Sequence, residues 1–166
     1  MENHRFHFEL VSPAEKLMEE PAFQVVIPGE TGYVGVRKGH ASLVKTSISQ
    51  CRKTLVTIFV NKPQFNKEDD FKKYPRLLKK DIALLKLLKV DFLYLPSYKE
   101  IYPDGHNKKI KINPFGKKLC GKFRSGHFEA IVDVINRFIK IIRPKRIYFG
   151  EKDMQQLKIV NDFINK

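Results

Sequence analysis

Four short stretches carry most of the side chains that could do chemistry. The first, IPGETGYVGVRKGHASL at 27–43, has glycines at 29, 32, 35 and 39 that let backbone amides approach a ligand closely. Its Lys38-Gly39-His40 opens a helix, whose N-terminal amides suit a phosphate. The second, IFVNKPQFNKEDDFKKYPR, sets Asn61 and Gln64 just past a strand-like run, where an amide can hydrogen-bond a hydroxyl or a carboxylate. The third, YPDG at 102–105, has the composition of a turn, with Pro second and Gly fourth. The fourth, FGEKDMQQ at 149–156, puts Gly150 after another strand-like run and crowds Lys152, Asp153, Gln155 and Gln156 into the start of a helix. A lysine there opposes the helix dipole and is tolerated if an anion occupies the site. Just upstream, GKFRSGHFEA adds Arg124 and His127 at another helix start. Taken singly, each stretch has a plainer reading. Glycine-rich turns are common without a nucleotide, a histidine such as His40 can cap or pack a helix, and amides such as Asn61 and Gln64 can be ordinary loop residues.

Composition narrows the classes. A chain of 166 residues, 42% apolar, suits one domain with a sizeable core. No apolar run reaches the length of a membrane span, and MENHRFHFELVSPAEK is too charged for a secretory signal. Cys51 and Cys120 form neither a CxxC pair nor a disulfide framework, which argues against zinc and points to the reducing cytoplasm. The 32 Lys and Arg against 18 Asp and Glu leave a net charge of +14, which invites a polyanion. The lysines are spread as pairs, such as Lys72-Lys73 and Lys117-Lys118, so a solvated basic surface is favoured over a nucleic-acid footprint.

The elements that must position these stretches alternate. Apolar, β-branched and aromatic runs at 23–27, 55–60, 91–95 and 146–149 predict buried strands. Helices are predicted at about 40–50, 76–89 (apolar at Leu78, Ile82, Leu85 and Leu88), 127–142 and 152–164. Residues 97–126 are rich in Pro, Gly and Lys, with a short hairpin expected around Ile110 and Ile112. Strand–helix alternation with buried strands predicts a parallel sheet covered by helices on both faces. Ligands of such folds collect beyond the carboxyl ends of the strands, where the strand order reverses. The polar stretches above all follow strand ends.

In series, FVNxxQF, the acidic stretch leading to YPR, YPDG, FRxGHF and GEKDxQQ resemble the motifs of the pantothenate synthetases, the pantoate–β-alanine ligases, in order and in spacing. The likeness runs over residues 23–160. It implies a Rossmann-like nucleotidylyltransferase fold. Residues 1–22 would be an N-terminal extension packed on the domain, and 23–166 a nucleotide- and pantoate-binding domain without the family's smaller C-terminal lid domain. It also implies the reaction: ATP and magnesium are used to make pantoyl adenylate, and the β-alanine amine displaces AMP.

Residue by residue, the resemblance implies catalytic roles for His40 and Lys152. It places Gly39, His40, Gly150, Lys152 and Asp153 around ATP, with Arg37 at the position of the first histidine of the family's HxGH motif. Gln64 and Gln156 would hold pantoate, with Asn61 and Arg124 in the same region, and Asp81 would lie near the Mg2+ ion. Lys80 stands where the family has a second acid, and the glycine-rich loop is three residues longer than the family's. A homodimer is compatible with this reading, and no membrane or nucleic-acid role is implied. The chemistry is coherent. A carboxylate is already ionised at neutral pH and needs no general base to attack phosphorus, so cations and amides suffice, acting by positioning and electrostatics. Two rival expectations are a diverged, non-catalytic nucleotide- or pantoate-binding module, which Arg37 favours, and a basic nucleic-acid-binding protein.

Overall fold

The structure, a computed structural model, describes residues 9–11, 23–28, 38–73, 77–107 and 109–165. Its frame is a parallel sheet of five strands: β1 (Glu9–Val11), β2 (Phe23–Pro28), β3 (Thr54–Phe59), β4 (Phe92–Tyr94) and β5 (Ile147–Tyr148). They lie in the order β1-β4-β3-β2-β5, and every pairing is parallel. From β2 the chain proceeds outward through β3 and β4, then returns to place β5 on the other side of β2. The strand order therefore reverses between β2 and β5.

Among the described residues, seven α-helices connect and cover the strands: α1 (Lys38–Gln50), α2 (Glu68–Lys72), α3 (Leu78–Leu87), α4 (Tyr98–Ile101), α5 (Cys120–Phe123), α6 (His127–Ile142) and α7 (Met154–Ile164). The alternation of side chains along a strand sorts them into two layers. Leu55 and Phe59 of β3 and Tyr94 of β4 join Phe128, Ile131, Ile135 and Phe138 of α6 and Ile159 and Val160 of α7 on one face. Val56 of β3 and Leu93 of β4 join Val44 of α1 and Leu85 of α3 on the other. Each such large apolar side chain taken out of water contributes about 1.5–3 kcal/mol, so β3, buried on both faces, is the spine of the core.

The main elements fall where the residue pattern puts them, and the differences have local causes. Glu9–Val11, with no strand expected there, is an edge strand paired with β4. No hairpin forms around Ile110 and Ile112 among the described residues. The two isoleucines pack instead against the core beside Phe115, and that burial replaces strand pairing. The last helix begins at Met154, because residues Glu151–Asp153 form a 3-10 turn. α6 ends where Arg143 takes a left-handed conformation, its N–H bonded to the Ile139 carbonyl, just before Pro144. No helix among the described residues is long and apolar enough to cross a membrane.

Candidate active site at the carboxyl ends of the strands

Beyond β3 the chain makes a tight 3-10 turn over Lys62–Gln64, with Pro63 fixing its first residues. The turn sinks two amides into the protein: Asn61 and Gln64 are each only 1% exposed. Their hydrogen bonds define a direction. Asn61 Nδ2 donates to the Ala130 backbone carbonyl at 3.1 Å and to Gln64 Oε1 at 3.1 Å. Tyr102 donates its hydroxyl to Asn61 Oδ1 at 2.6 Å. A backbone carbonyl can only accept, so the end of Asn61 facing Ala130 is the NH2 group. Gln64 must then face Asn61 with its carbonyl, which turns its Nε2 donor end the other way.

The first residue of α6 holds the backbone of the same turn. His127 Nδ1 lies 2.9 Å from the Gln64 carbonyl oxygen, so Nδ1 carries the proton and Nε2 is the acceptor of a neutral ring. Burial is the main cause that pushes the His127 pKa below its ordinary 6.5. The Gln64 carbonyl acts upward, the Arg124 guanidinium downward and the Asp153 carboxylate upward. Those influences put Arg124, at the end of α5, and Asp153, at the start of α7, within electrostatic reach of one imidazole. Asp153 makes no side-chain cap for α7. Asn66 ties the same loop down by donating to the Ser125 carbonyl at 3.1 Å.

The other candidates lie around the point where strand order reverses. Gly39 and His40 are in the first turn of α1, whose N-terminal turn holds no acid. Among the described residues, a methyl group at Gly39 would meet nothing within 4 Å. Gly150, just past β5, faces Leu43 of α1: a Cβ there would stand 3.9 Å from its Cδ1. The end of β5 thus packs against α1. Lys152 lies in the turn between β5 and α7. Arg37 lies outside the described residues. Gln156 is half-buried, three and four positions before Ile159 and Val160, which puts it on the face of α7 turned to the core. Its neighbour Gln155 turns elsewhere: Nε2 donates to the Phe115 and Lys118 carbonyls, and Oε1 accepts from the Cys120 N–H. Asp81 is buried in the first turn of α3. No group of three or more His, Cys, Asp or Glu gathers as a metal cage among the described residues.

Of the candidates drawn from the sequence, the fold gathers Asn61, Gln64, Arg124 and Asp153 around His127. Gly150 packs against Leu43 of α1, the helix whose first turn holds Gly39 and His40. Two members of this region had no role in that reading. His127 was legible only as a residue at a helix start. Tyr102, a turn residue by composition, bonds a partner 41 positions away, for which the sequence carries no signal.

A parallel sheet with reversed strand order, a glycine at a helix start beside the reversal and buried amides beyond the next strand define an α/β protein of nucleotidylyltransferase-like fold. The family model for pantoate-beta-alanine ligase matches residues 31–166, and the chain belongs to that family. It is 40% identical over 133 residues to a pantothenate synthetase of Sulfurihydrogenibium sp. (80% of this chain, 47% of the relative). It is 40% identical over 129 residues to one of Bartonella henselae (78% and 45%). The crystal structure of pantoate-beta-alanine ligase from Francisella tularensis, complexed with beta-gamma ATP and beta-alanine, superposes with a TM-score of 0.83 at 32% identity, covering 94% of this chain and 61% of that one. That of pantothenate synthetase from Thermus thermophilus gives 0.82 at 33% identity, covering 94% and 56%. The chain spans about half the length of the curated relatives it matches.

Proposed function

We propose that this chain, over residues 23–166, is the nucleotide- and pantoate-binding domain of a pantoate–β-alanine ligase. ATP lies where α1 meets the end of β5, with its phosphates toward Gly39, His40 and Lys152, and Gly150 and Asp153 beside it; Arg37, which precedes α1 in the sequence, joins them in this reading. Pantoate lies between Gln64 and Gln156, with Asn61 and Arg124 behind them. Its ionised carboxylate attacks the α-phosphorus, pyrophosphate leaves, and the β-alanine amine then displaces AMP from the pantoyl adenylate. Lys152 and His40 offset charge on the phosphate oxygens, and no side chain has to remove a proton from the carboxylate.

The observation that carries this reading is the polarised Asn61–Gln64 pair. With the carbonyl oxygen of buried Gln64 facing Asn61, the NH2 group is the part of that amide that would meet a hydroxy acid, and a donor suits its oxygens. Magnesium fits as an ion brought in on the phosphates with its own water, since it is commonly held by one or two carboxylates plus phosphate oxygens. Asp81 is the carboxylate on offer, and no protein cage competes with that arrangement among the described residues. The substrates are small soluble anions and both cysteines are free, so we place the protein in the cytoplasm.

Isothermal calorimetry with pantoate, with ATP–Mg2+ and with both together tests the reading. Each ligand alone should release or absorb heat saturably, and prior ATP should not displace pantoate. A chain that binds neither would end it. Binding of both without AMP formation on adding β-alanine would leave a non-catalytic module.

A further inference from the structure

The turn at 102–105 is more heavily anchored than a surface turn requires. Its Gly105 has φ +77°, and the Gly105 N–H bonds the Tyr102 carbonyl at 3.2 Å. Arg137, from the middle of α6, donates to the Ile101 carbonyl at 2.8 Å and to the Gly105 carbonyl at 2.9 Å. Its guanidinium lies 4.6 Å from the centre of the Tyr102 ring, and its Nε pairs with Asp133 at 2.8 Å. Asp133 is itself buried and takes the Asn107 N–H at 2.7 Å. Arg137 thus ties the turn to α6 and lies over the phenol ring, with Asp133 holding Arg137 and the loop at Asn107.

What that ring presents is one hydroxyl, donated to Asn61 Oδ1. Asn61 in turn spends its two N–H groups on Ala130 and Gln64. Every hydrogen bond in the chain Tyr102–Asn61–Gln64 has its direction set by the Ala130 carbonyl, which can only accept. A phenol is protonated at neutral pH and so able to donate, and burial pushes that of Tyr102 further above its ordinary 10.

We propose that Tyr102 is a positioning residue for substrate. Its hydrogen bond holds the Asn61 side chain, and through it Gln64, in place beside the pantoate site, the sense of the bonds being set by Ala130, with Arg137 fixing Tyr102 in turn. This rests on the pantoate reading of Gln64 for its functional consequence, but not for the geometry itself. Removing the hydroxyl leaves Asn61 Oδ1 buried without that donor and loosens the amide pair, whose sense Ala130 still sets. The substitution touches neither the α1–β5 junction nor Gln64 directly.

The test is Tyr102→Phe, alone and combined with Asn61→Ala, in the whole chain. Loss of one neutral hydrogen bond in the relay predicts about two- to tenfold weaker pantoate binding by calorimetry, with ATP affinity unchanged. In the Asn61→Ala background the same change should have no further effect, because its route has been cut. Independently of any ligand, the Gln64 side-chain amide resonance in a 15N–1H spectrum should move in free Tyr102→Phe. An unmoved Gln64 amide, or equal losses of pantoate and ATP affinity, overturns the positioning role. Wild type that fails to bind pantoate, with the Gln64 amide still moving in the variant, would overturn the pantoate reading instead and leave the relay standing. If Tyr102→Phe folds poorly, Arg137→Lys offers a second reading: it keeps charge but loses the planar fork that holds the ring and two carbonyls, and the Gln64 amide should move again.

Discussion

His127 reaches from the first turn of α6 to the turn beyond β3, with Nδ1 2.9 Å from the backbone carbonyl of Gln64, 63 positions earlier in the chain. Two of the family motifs are thereby joined by one hydrogen bond, FVNxxQF through its glutamine and FRxGHF through its histidine. Because the carbonyl accepts, the bond needs only a neutral imidazole, and burial favours that form.

Acid should therefore weaken the fold through His127. The unfolded chain takes up a proton on this ring as pH falls through about 6.5, its ordinary value, whereas the folded ring stays neutral to lower pH. The unfolded state then binds more protons, so the stability His127 contributes is complete above the ordinary value and is lost as pH falls toward the folded pKa. Urea midpoints at pH 7.5 and 5.5 should show a drop in wild type. His127→Gln, which keeps a donor but cannot titrate, should show a smaller one. Equal drops in both proteins would assign the acid sensitivity to other groups.

Substitutions at Gln64 should rank by charge rather than size. Gln64→Met removes the donor and should weaken pantoate binding by about ten- to a hundredfold, the worth of a hydrogen bond to an ionised group. Gln64→Glu can still accept from Asn61 Nδ2 but turns a second carboxylate oxygen toward the substrate's own carboxylate, and should be worse. The ranking is read by pantoate titration at one salt concentration. Glutamate binding pantoate as well as wild type would remove Gln64 from the site.

Lys152→Ala should lower ATP affinity by roughly ten- to a hundredfold, the loss of a charge-assisted hydrogen bond, and leave pantoate affinity nearly unchanged. The position supports this: Lys152 is in the turn between β5 and α7, at the edge where strand order reverses. Parallel titrations of wild type and variant with ATP and with pantoate decide it, and an unchanged ATP affinity would make Lys152 a solvated surface charge.

Gly121→Ala should destabilise the segment that shapes the approach to Arg124. A Cβ at Gly121 would collide with the backbone carbonyl of Gly116, and the carbonyl carbon would be only 2.8 Å away. Backbone cannot step aside as a flexible side chain can, so a loss of about 1–3 kcal/mol is expected, as for other overpacked sites. Chemical denaturation measures it. A neutral substitution would mean that the 116–121 turn repacks freely.

How far the sequence alone reaches depends on the range of the interactions that decide each feature. α6 was legible to the residue, because its apolar positions recur with helical spacing and Gly126 and Pro144 bracket it. The β3 run was legible because a strand buried on both faces is largely apolar, and the β2 run reads alike in sequence. The motif series at these strand and helix ends was enough to show the family. β1 was invisible, since three residues carry no period and exist as a strand only by pairing with β4. Ile110 and Ile112 read as strand because they alternate, yet the core claims them instead. Strand order is likewise tertiary: nothing local to 147–148 says that β5 lies beside β2. The candidate site divides the same way. Residue type and motif order singled out Asn61, Gln64, Arg124 and Asp153, while their convergence on His127 and the hold of Tyr102 on Asn61 come only from the folded chain. The reason is physical: a side chain's chemistry is written at its own position, but the direction of a buried hydrogen bond is set by whichever backbone carbonyl the fold brings against it, here that of Ala130.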